Sequence, residues 1–218
     1  MRDTVDAMSS PPPPLIWYAS YGSNMYAARL LCYLTGGTPL GARRSYVGCR
    51  DRSPARRMVA SEFSGGIYFA TESPVWHGGR AFFDPTLPGR AAMRSYLVTA
   101  GQFSDIAEQE MYRDPGPDLD LTTVLRTGRH QLGPGRYETL LHLGDLDGYP
   151  VLTFTAPWSA SEIEKNPPSA AYLAMLVGGL REAHGWSLPK VAEYLSPLPG
   201  MQKHWSVQQI TDLAQATS

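Results

Sequence analysis

The 218-residue sequence has little of several features that mark particular classes of protein. It contains only two cysteines, Cys32 and Cys49, whereas a small secreted domain usually carries several pairs. Its formal net charge is −1, so no overall field attracts nucleic acid or an anionic membrane. No apolar run approaches the roughly 20 residues that cross a bilayer. The polar first ten residues lack the pattern of a signal peptide. We therefore expect reduced thiols, a cytoplasmic location, and neither nucleic acid nor membrane as a partner.

The motifs of several common enzyme classes are also missing. The five histidines are not spaced as zinc-binding pairs, and there is no Cys-x-x-Cys. We find neither a phosphate-binding loop nor a Gly-x-Gly-x-x-Gly after a strand. Ser23 does not stand in a Gly-x-Ser-x-Gly elbow. The sequence thus favours no ATPase, dehydrogenase, metalloprotease or α/β-hydrolase, and we expect a site that uses neither metal nor cofactor.

What is present is the composition of a folded protein, with 43% hydrophobic and 18% charged residues. Residues 1–14 end in four prolines and predict a stiff, largely disordered leader. We expect one domain over residues 15–218, because this length suits one core better than two.

The predicted elements begin with a unit of strand, turn and helix. Residues 15–20 favour a strand buried on both faces, and the turn Tyr21-Gly22-Ser23-Asn24 follows it. A helix is predicted over 25–34, ended by Gly36-Gly37. Further strand cores are expected at 46–47, 67–69, 81–83, 95–98, 137–143 and 151–155, with a hairpin connection over 144–148.

Helices are expected at 105–112 and through the last third of the chain. Ser104 is the predicted N-cap of a short helix over 105–112, after which 113–135 looks like a long irregular excursion. Three later helices are predicted to begin at Pro167-Pro168, at Ser187 and at the capping-box pair Ser206 and Gln209. Strands first and helices last indicate an α+β protein.

The turn Tyr21-Gly22-Ser23-Asn24 is the first candidate functional feature. Backbone N–H groups at the start of a helix lack intrahelical partners and favour anions. Gly22 permits close approach of a ligand and a positive φ, while Ser23 and Asn24 have side chains that cap a helix or bind a ligand. An ordinary strand-to-helix turn remains the alternative.

Two further features carry charge. Glu108 and Glu110 end the predicted 105–112 helix on different sides, so at most one faces a pocket as a general base; the alternative is a solvated helix face. The second feature is a basic cluster, for which three alternatives remain open: solvated surface, contact with an anionic substrate, and contact with nucleic acid. Its members are Arg43, Arg44, Arg50, Arg52, Arg56 and Arg57.

The turn and Glu110 together resemble the γ-glutamylcyclotransferase-like family, which includes a butirosin-pathway deprotecting enzyme and the plant avirulence-induced proteins. Tyr21-Gly22-Ser23-Asn24-Met25 matches its strand-ending motif, and Ala107-Glu108-Gln109-Glu110 is similar to the segment whose last Glu is catalytic. Tyr137, or Tyr112 in competition with it, matches a family Tyr beside the substrate. Pro167-Pro168-Ser169-Ala170-Ala171-Tyr172 is similar to the opening of a late family helix.

The resemblance implies a small mixed β-barrel flanked by helices, with a helical C-terminal third. It also implies a site in which residues 21–25, Tyr137 and Tyr112 bind substrate, and in which Glu110 is the catalytic general acid and base. Glu110 would take a proton from the α-amine of a γ-glutamyl group, and the amine would attack the γ-carbonyl. The bond to the leaving amine would then break, so that 5-oxoproline forms and the amine is released. The expected partner is a small-molecule substrate, and no oligomeric state is implied.

Two stretches depart from the family pattern, residues 113–135 and residues 69–88, and altered loops around a retained base indicate an altered substrate. The leading hypothesis is therefore γ-glutamyl-amide cyclotransfer on a small metabolite or biosynthetic intermediate. The alternatives are another metal-free acid–base reaction (a lyase, an isomerase or a non-glutamyl cyclase) and a non-catalytic anion-binding module. A hydrolytic deacetylase is a further candidate, although the ligands of the usual zinc-dependent kind are not found.

Overall fold

A computed structural model describes residues 14–39 and 45–216. The strands are β1 (Leu15–Ser20), β2 (Arg57–Ser64), β3 (Gly66–Ala70), β4 (Arg80–Asp84), β5 (Arg90–Thr99), β6 (Arg129–Gln131), β7 (Thr139–Leu146) and β8 (Tyr149–Thr155). The α-helices are α1 (Ala27–Thr35), α2 (Ala100–Glu110), α3 (Thr122–Thr127), α4 (Ala170–His184), α5 (Leu188–Leu195) and α6 (Val207–Ala216). Short 3-10 helices occupy Ser23–Met25 and Ala160–Glu162.

Six strands form one mixed sheet in the order β2-β5-β1-β8-β7-β6, and β3 and β4 form a second, antiparallel pair. Within the larger sheet, β1 pairs in parallel with β8 and antiparallel with β5. Helices cover both faces of this sheet. The predicted α+β class, with a mixed sheet flanked by helices and a helical C-terminal third, is confirmed.

Strand β1 lies at the centre of the larger sheet, and its side chains alternate between two cores. Trp17 and Ala19 pack with the helices α4, α5 and α6. Ile16 and Tyr18 face the other side, with α1 and α2. Because successive residues of a strand point to opposite faces, a strand covered on both sides must be apolar throughout. This explains the uninterrupted apolar run before Tyr21 and confirms that the strand is buried on both faces.

The structure corrects several predicted boundaries. The first helix starts at Ala27, after a 3-10 turn, and residues 46–47 form no strand, since Tyr46 makes only an isolated bridge to Gly37. Residues 113–135 include α3 and β6 instead of an irregular excursion. Strand β7 extends to Leu146, so the hairpin turn narrows to Asp147-Gly148, where both residues have positive φ.

The helix that ends at Glu110 was predicted to start too late. Ser104 lies inside α2 and its hydroxyl donates to Ala100 O at 2.8 Å. The N-cap is Thr99, whose Oγ1 accepts from Gln102 N while Gln102 Oε1 accepts from Thr99 N. This reciprocal capping box satisfies two N–H groups that the first turn leaves without helical partners. The first turn is buried and apolar, which hid it from a search for a polar cap. The predicted leader lies outside the described residues, apart from Pro14.

Candidate active site

The turn after β1 is held in an extended conformation at Gly22, with φ −106° and ψ −152°. A positive φ, expected there from the sequence, is therefore not what requires glycine. The requirement is space, because a Cβ at Gly22 would lie 3.3 Å from Tyr172 Oη. Glycine keeps open the gap between the turn and the first turn of α4.

Ser23 and Asn24 do not cap the helices that follow them, since neither the 3-10 helix nor α1 has a side-chain cap. Ser23 Oγ accepts a hydrogen bond from Arg29 Nε at 2.7 Å. Asn24 Nδ2 donates to Glu110 Oε1 at 2.8 Å. Two motifs separated by 86 residues in sequence thus meet through one hydrogen bond, which fixes the orientation of the carboxylate.

The position of Glu110 depends on its neighbour Gln109, which is buried at the end of α2. Gln109 Nε2 donates to Tyr33 O at 3.0 Å, and its Oε1 accepts from Gly48 N at 3.2 Å. These bonds hold the end of α2 against α1. Glu108 is partly buried, lines neither cavity and forms an ion pair with Arg113. Only one of the two glutamates therefore faces the cavities, as their spacing on a helix predicts.

Glu110 lies at the boundary of two adjoining cavities, which we call the inner and the outer cavity. The inner cavity is small, and Glu110 is its only charged lining residue among the described residues. Its remaining walls are the β1 end, the turn and a set of aromatic side chains. The lining residues are Tyr18, Ser20, Tyr21, Gly22, Ser23, Asn24, Ala81, Glu110, Tyr137, Phe154 and Tyr172.

Two phenol groups of the inner cavity donate to backbone carbonyls, and a third, that of Tyr172, accepts from Ala81 N. Tyr21 Oη donates to Phe154 O at 2.8 Å, and Tyr137 Oη donates to Ala81 O at 3.1 Å. Burial raises the pKa of both phenols well above the usual value, and it raises the pKa of Tyr172 to about 12. In contrast, Asn24 Oδ1 is buried and accepts no hydrogen bond from any described group. It is therefore an acceptor that a ligand in this cavity would satisfy.

The outer cavity is also small and shares Ser23, Glu110, Tyr137 and Tyr172 with the inner one. Its chemistry differs, because three arginines line it, together with Trp76 and Tyr112. The lining residues are Ser23, Arg29, Tyr33, Tyr46, Ser73, Val75, Trp76, Arg80, Glu110, Tyr112, Arg136, Tyr137 and Tyr172.

The structure brings together seven of the eight predicted site residues. Glu110, Tyr21, Gly22, Ser23, Asn24, Tyr137 and Tyr112 line one or both cavities. Met25 lines neither. It is 2% exposed and packs against α4, where a Cβ on Gly179 would come within 2.9 Å of Met25 Cβ. Its backbone supports the turn, since its N–H donates to Gly22 O at 3.0 Å and its carbonyl oxygen accepts bonds from Arg94 and Tyr96.

Sequence reasoning did not select Arg29, Trp76, Arg80, Arg136 or Tyr172 as site residues. A signal for Arg29 existed, because it lies four residues before Tyr33 on the buried stripe of α1. The basic cluster, for which solvated surface and two kinds of contact were left open, lies elsewhere: Arg50 pairs with Asp105 and Asp118, and Arg57 pairs with Asp147. None of its members within the described residues lines either cavity, and Arg43 and Arg44 lie outside those residues.

Of the two departures from the family pattern, the earlier one forms the cavity wall. Ser73, Val75, Trp76 and Arg80 belong to residues 69–88 and line the outer cavity. Residues 113–135 contribute nothing to the lining within the described part of the chain. They pack along α2, where Asp118 meets Arg50 and Leu119 N donates to Ser104 Oγ.

The described residues contain no group of three or more His, Cys, Asp or Glu that could hold a metal ion. No helix within 14–39 and 45–216 is both long enough and apolar enough to cross a membrane.

Comparison with known proteins supports the fold. A solved structure of a gamma-glutamyl cyclotransferase is similar with a TM-score of 0.52 and 15% identity, over 93% of this chain and 99% of that one. A human protein described as uncharacterized is similar with a TM-score of 0.50 and 15% identity, over 92% of this chain and 98% of its own. At this identity the likeness shows a shared fold, that of gamma-glutamyl cyclotransferase.

Among curated proteins, Histone deacetylase 5 of Arabidopsis thaliana is 34% identical over 198 residues. The alignment covers 83% of this chain but only 30% of the Arabidopsis protein, so this chain spans less than a third of that relative. No family model matches the sequence.

Proposed function

We propose that this chain is a γ-glutamyl-amide cyclotransferase that releases 5-oxoproline and an amine from a small metabolite or biosynthetic intermediate. Glu110 acts as the general acid and base. The observation that carries this proposal is the 2.8 Å hydrogen bond from Asn24 Nδ2 to Glu110 Oε1, which joins the turn and the carboxylate at one cavity.

The proposed reaction begins with proton transfer from the α-amine of the γ-glutamyl group to Glu110. The other oxygen of the carboxylate is kept in place by the bond that Oε1 accepts from Asn24. Asn24 Oδ1, buried without a partner among the described groups, accepts a hydrogen bond from the same amine. An amine held between two acceptors has its lone pair free on the side of the γ-carbonyl.

Ring closure then forms a bond from the α-nitrogen to the γ-carbonyl carbon, and the carbonyl oxygen becomes an oxyanion. Among the described groups, the N–H groups of Ser23 and Asn24 have no other acceptor, and they supply donors at the turn. When the intermediate collapses, the bond from the γ-carbon to the leaving nitrogen breaks, and Glu110 returns its proton to that nitrogen. The ring nitrogen loses the second proton of the original ammonium group to the same carboxylate, which passes it on to the departing amine. No water is consumed, and the products are 5-oxoproline and the free amine.

The inner cavity suits this sequence of steps. Its neutral phenols and Phe154 surround the short γ-glutamyl chain, and its only lining charge is the base itself. Because the nucleophile and the carbonyl belong to one molecule, the site mainly has to fold that molecule into a ring-like conformation.

The test is to incubate purified protein with a panel of γ-glutamyl amines and dipeptides and to measure 5-oxoproline by mass spectrometry. General acid–base catalysis contributes about 10²–10⁴-fold, so Glu110→Gln should lower kcat by that factor. Glu108→Gln is the matched control, since this residue lies on the same helix and faces away from the cavities. Full activity of Glu110→Gln would refute the assigned role. Glu110-dependent turnover of another substrate, without 5-oxoproline, would favour a different acid–base reaction.

A second candidate is hydrolytic removal of an acyl group from an amine, and the name of the Arabidopsis relative favours it. In this reaction Glu110 would activate a water molecule. Acetyl-lysine peptides belong in the same panel, with release of acetate as the readout. Acetate release that depends on Glu110, without 5-oxoproline from any γ-glutamyl compound, would establish it over cyclotransfer.

A further inference from the structure

The outer cavity contains more positive charge than the protein itself balances. Arg29, Arg80 and Arg136 line it, and Glu110 is the only acidic side chain among its described lining residues. Glu72 and Glu138 act on Arg80 and Arg136 from outside the lining. None of the three arginines forms an ion pair with a described carboxylate. Charges withdrawn from water and left unpaired are unfavourable, and such an arrangement usually serves a ligand.

Arg29 is the most deeply placed of the three, with 4% of its surface exposed. Its Nε donates to Ser23 Oγ at 2.7 Å, and its Nη2 donates to Tyr46 Oη at 3.0 Å. The ring of Trp76 lies 5.1 Å from its guanidinium carbon. Its Nη1 is buried and has no hydrogen-bond partner among the described groups. The guanidinium is thus fixed by neutral groups, and one N–H-bearing end is left for a ligand.

Arg136 and Arg80 show the same pattern. Arg136 Nη2 donates to Glu110 O at 2.6 Å, and its guanidinium lies 4.3 Å from the ring centre of Tyr112, while its Nε is buried and lacks a partner in the described part of the chain. Arg80 Nη1 donates to Thr71 Oγ1 at 3.0 Å. Each arginine is therefore oriented by neutral acceptors, and none has a described carboxylate within ion-pair distance.

The wall that carries Trp76 is fixed in place. Gly79 N donates to Pro167 O at 2.7 Å, and Asn166 Nδ2 donates to Thr71 O at 2.7 Å. These bonds join residues 71–79 to the chain just before α4. The outer cavity is consequently formed before any ligand arrives, which lowers the entropic cost of binding.

We infer that the outer cavity is a subsite for a leaving amine that carries two carboxylate groups; this inference rests on the proposed cyclotransferase reaction. Guanidinium groups bind carboxylates through paired N–H donors, and the pairing is strongest away from water. When only the charged lining side chains, three arginines and Glu110, are counted with the zwitterionic γ-glutamyl group, two positive charges remain. A leaving amine with two carboxylates neutralises them, whereas a simple amine leaves both.

The test uses three substrates with the same γ-glutamyl group and leaving amines that carry no, one or two carboxylates: ethylamine, alanine and glutamate. A hydrogen-bonded charge pair is worth enough for at least about a tenfold gain per carboxylate, so kcat/KM should rise in that order. Arg80→Gln and Arg136→Gln should reduce the differences in kcat/KM among the three substrates, mainly by lowering kcat/KM for the glutamate compound. Arg56→Gln, an exposed arginine outside both cavities, is the matched control and should keep the series.

Two results would overturn the inference. Equal kcat/KM for the three substrates would show that the leaving group has no anion subsite. A proportional loss on all three substrates in the arginine variants would mean that these arginines bind the γ-glutamyl carboxylate or support folding instead.

A binding measurement separates this inference from the proposed reaction. In Glu110→Gln, calorimetry should give tighter binding of γ-glutamylglutamate than of γ-glutamylethylamine, and the difference should vanish when Arg80→Gln is added. If wild type forms no 5-oxoproline but this difference is found, the anion subsite stands and the reaction fails. If the two compounds bind equally, the subsite fails whatever the reaction.

Discussion

Asn24 contributes two different groups to the inner cavity, a donor used by Glu110 and an acceptor left without a described partner. Its backbone also takes part in packing, because Asn24 O accepts a bond from Tyr96 Oη at 2.8 Å. Tyr96 of the sheet therefore fixes the backbone of Asn24, and the Asn24 side chain points toward the Glu110 carboxylate. In the proposed reaction, this residue orients the base and the nucleophile at once.

Asn24→Asp should change the pH dependence of the reaction as well as its rate. The substitution keeps the size of the side chain but sets a second carboxylate against Glu110. Two adjacent carboxylates share a proton, so the fraction of enzyme with a free base falls at low pH. We expect kcat/KM to fall much more near about pH 6 than near about pH 8, measured as a full pH–rate profile. An equal loss at all pH values would mean that Asn24 only supports the turn.

The sequence made the turn and Glu110 recognisable because each lies in a short local pattern, a strand end and a helix end. The arginines of the outer cavity were not recognisable in this way. Arg29, Arg80 and Arg136 come from α1, the start of β4 and the segment before β7, and only the tertiary structure brings them together. The arginines that lie close together in sequence, within residues 43–57, left substrate contact open as one of three alternatives, but their described members line neither cavity.

At the scale of secondary structure, two elements determine the positions of the Glu110 carboxylate and of the cavity wall. Helix α2 runs from the capped Thr99 at the end of β5 to Glu110, so the sheet determines where the carboxylate stands. The start of this helix was missed because Ala100 and Phe103 continue the apolar character of β5. Because Thr99 both ends β5 and caps α2, the apolar pattern does not change where the strand ends and the helix begins.

The segment 71–79 depends on a close backbone contact at Gly79. A Cβ there would lie 1.9 Å from Asn166 O, so Gly79→Ala must displace the segment or the chain before α4. Overpacking of this kind costs about 1–3 kcal/mol, and we expect the free energy of unfolding to fall by that amount. KM should rise as well, because Trp76 and Arg80 move with the segment.

Gly116→Ala is the matched control for this prediction, since a Cβ at Gly116 meets no atom within 4 Å. Chemical denaturation of both variants, together with KM for the best γ-glutamyl substrate, provides the comparison. Wild-type stability and KM in Gly79→Ala would contradict the fixed wall on which the anion subsite depends.

Across the whole molecule, α4 connects the candidate site to strand β5 of the larger sheet. Its first turn supplies Tyr172 to both cavities, and its last turns contact β5. There Glu182 pairs with Arg94, which also donates to Met25 O at 3.0 Å, next to the turn that binds Glu110. The helical third of the chain thus supports the site from both ends of one helix. The predicted spacing of apolar residues in α4 anticipated its packing, but the polar contacts at its ends depend on the sheet order.

The contact between α4 and β5 should weaken in acid because of His184, the last residue of α4. Burial lowers the pKa of His184 below its usual value of 6.5. The imidazole packs against Trp186, and its Nε2 lies 3.0 Å from Met93 O. The charged groups that act on it are Glu62, Lys190 and Arg94. In the unfolded chain the same side chain takes up a proton at about pH 6.5.

Since the unfolded state then binds more protons than the folded one, the free energy of unfolding falls as the pH drops below about 6.5, and this contribution levels off below the folded pKa. His184→Gln removes the titration but keeps a side-chain donor for Met93 O. We expect the variant to lose less stability than wild type between about pH 6.5 and 5, measured by urea unfolding at each pH. His204→Gln, at an exposed position, should keep the wild-type slope. If wild type and His184→Gln lose stability equally, acid acts elsewhere, and α4 is not the pH-sensitive link between the sheet and the site.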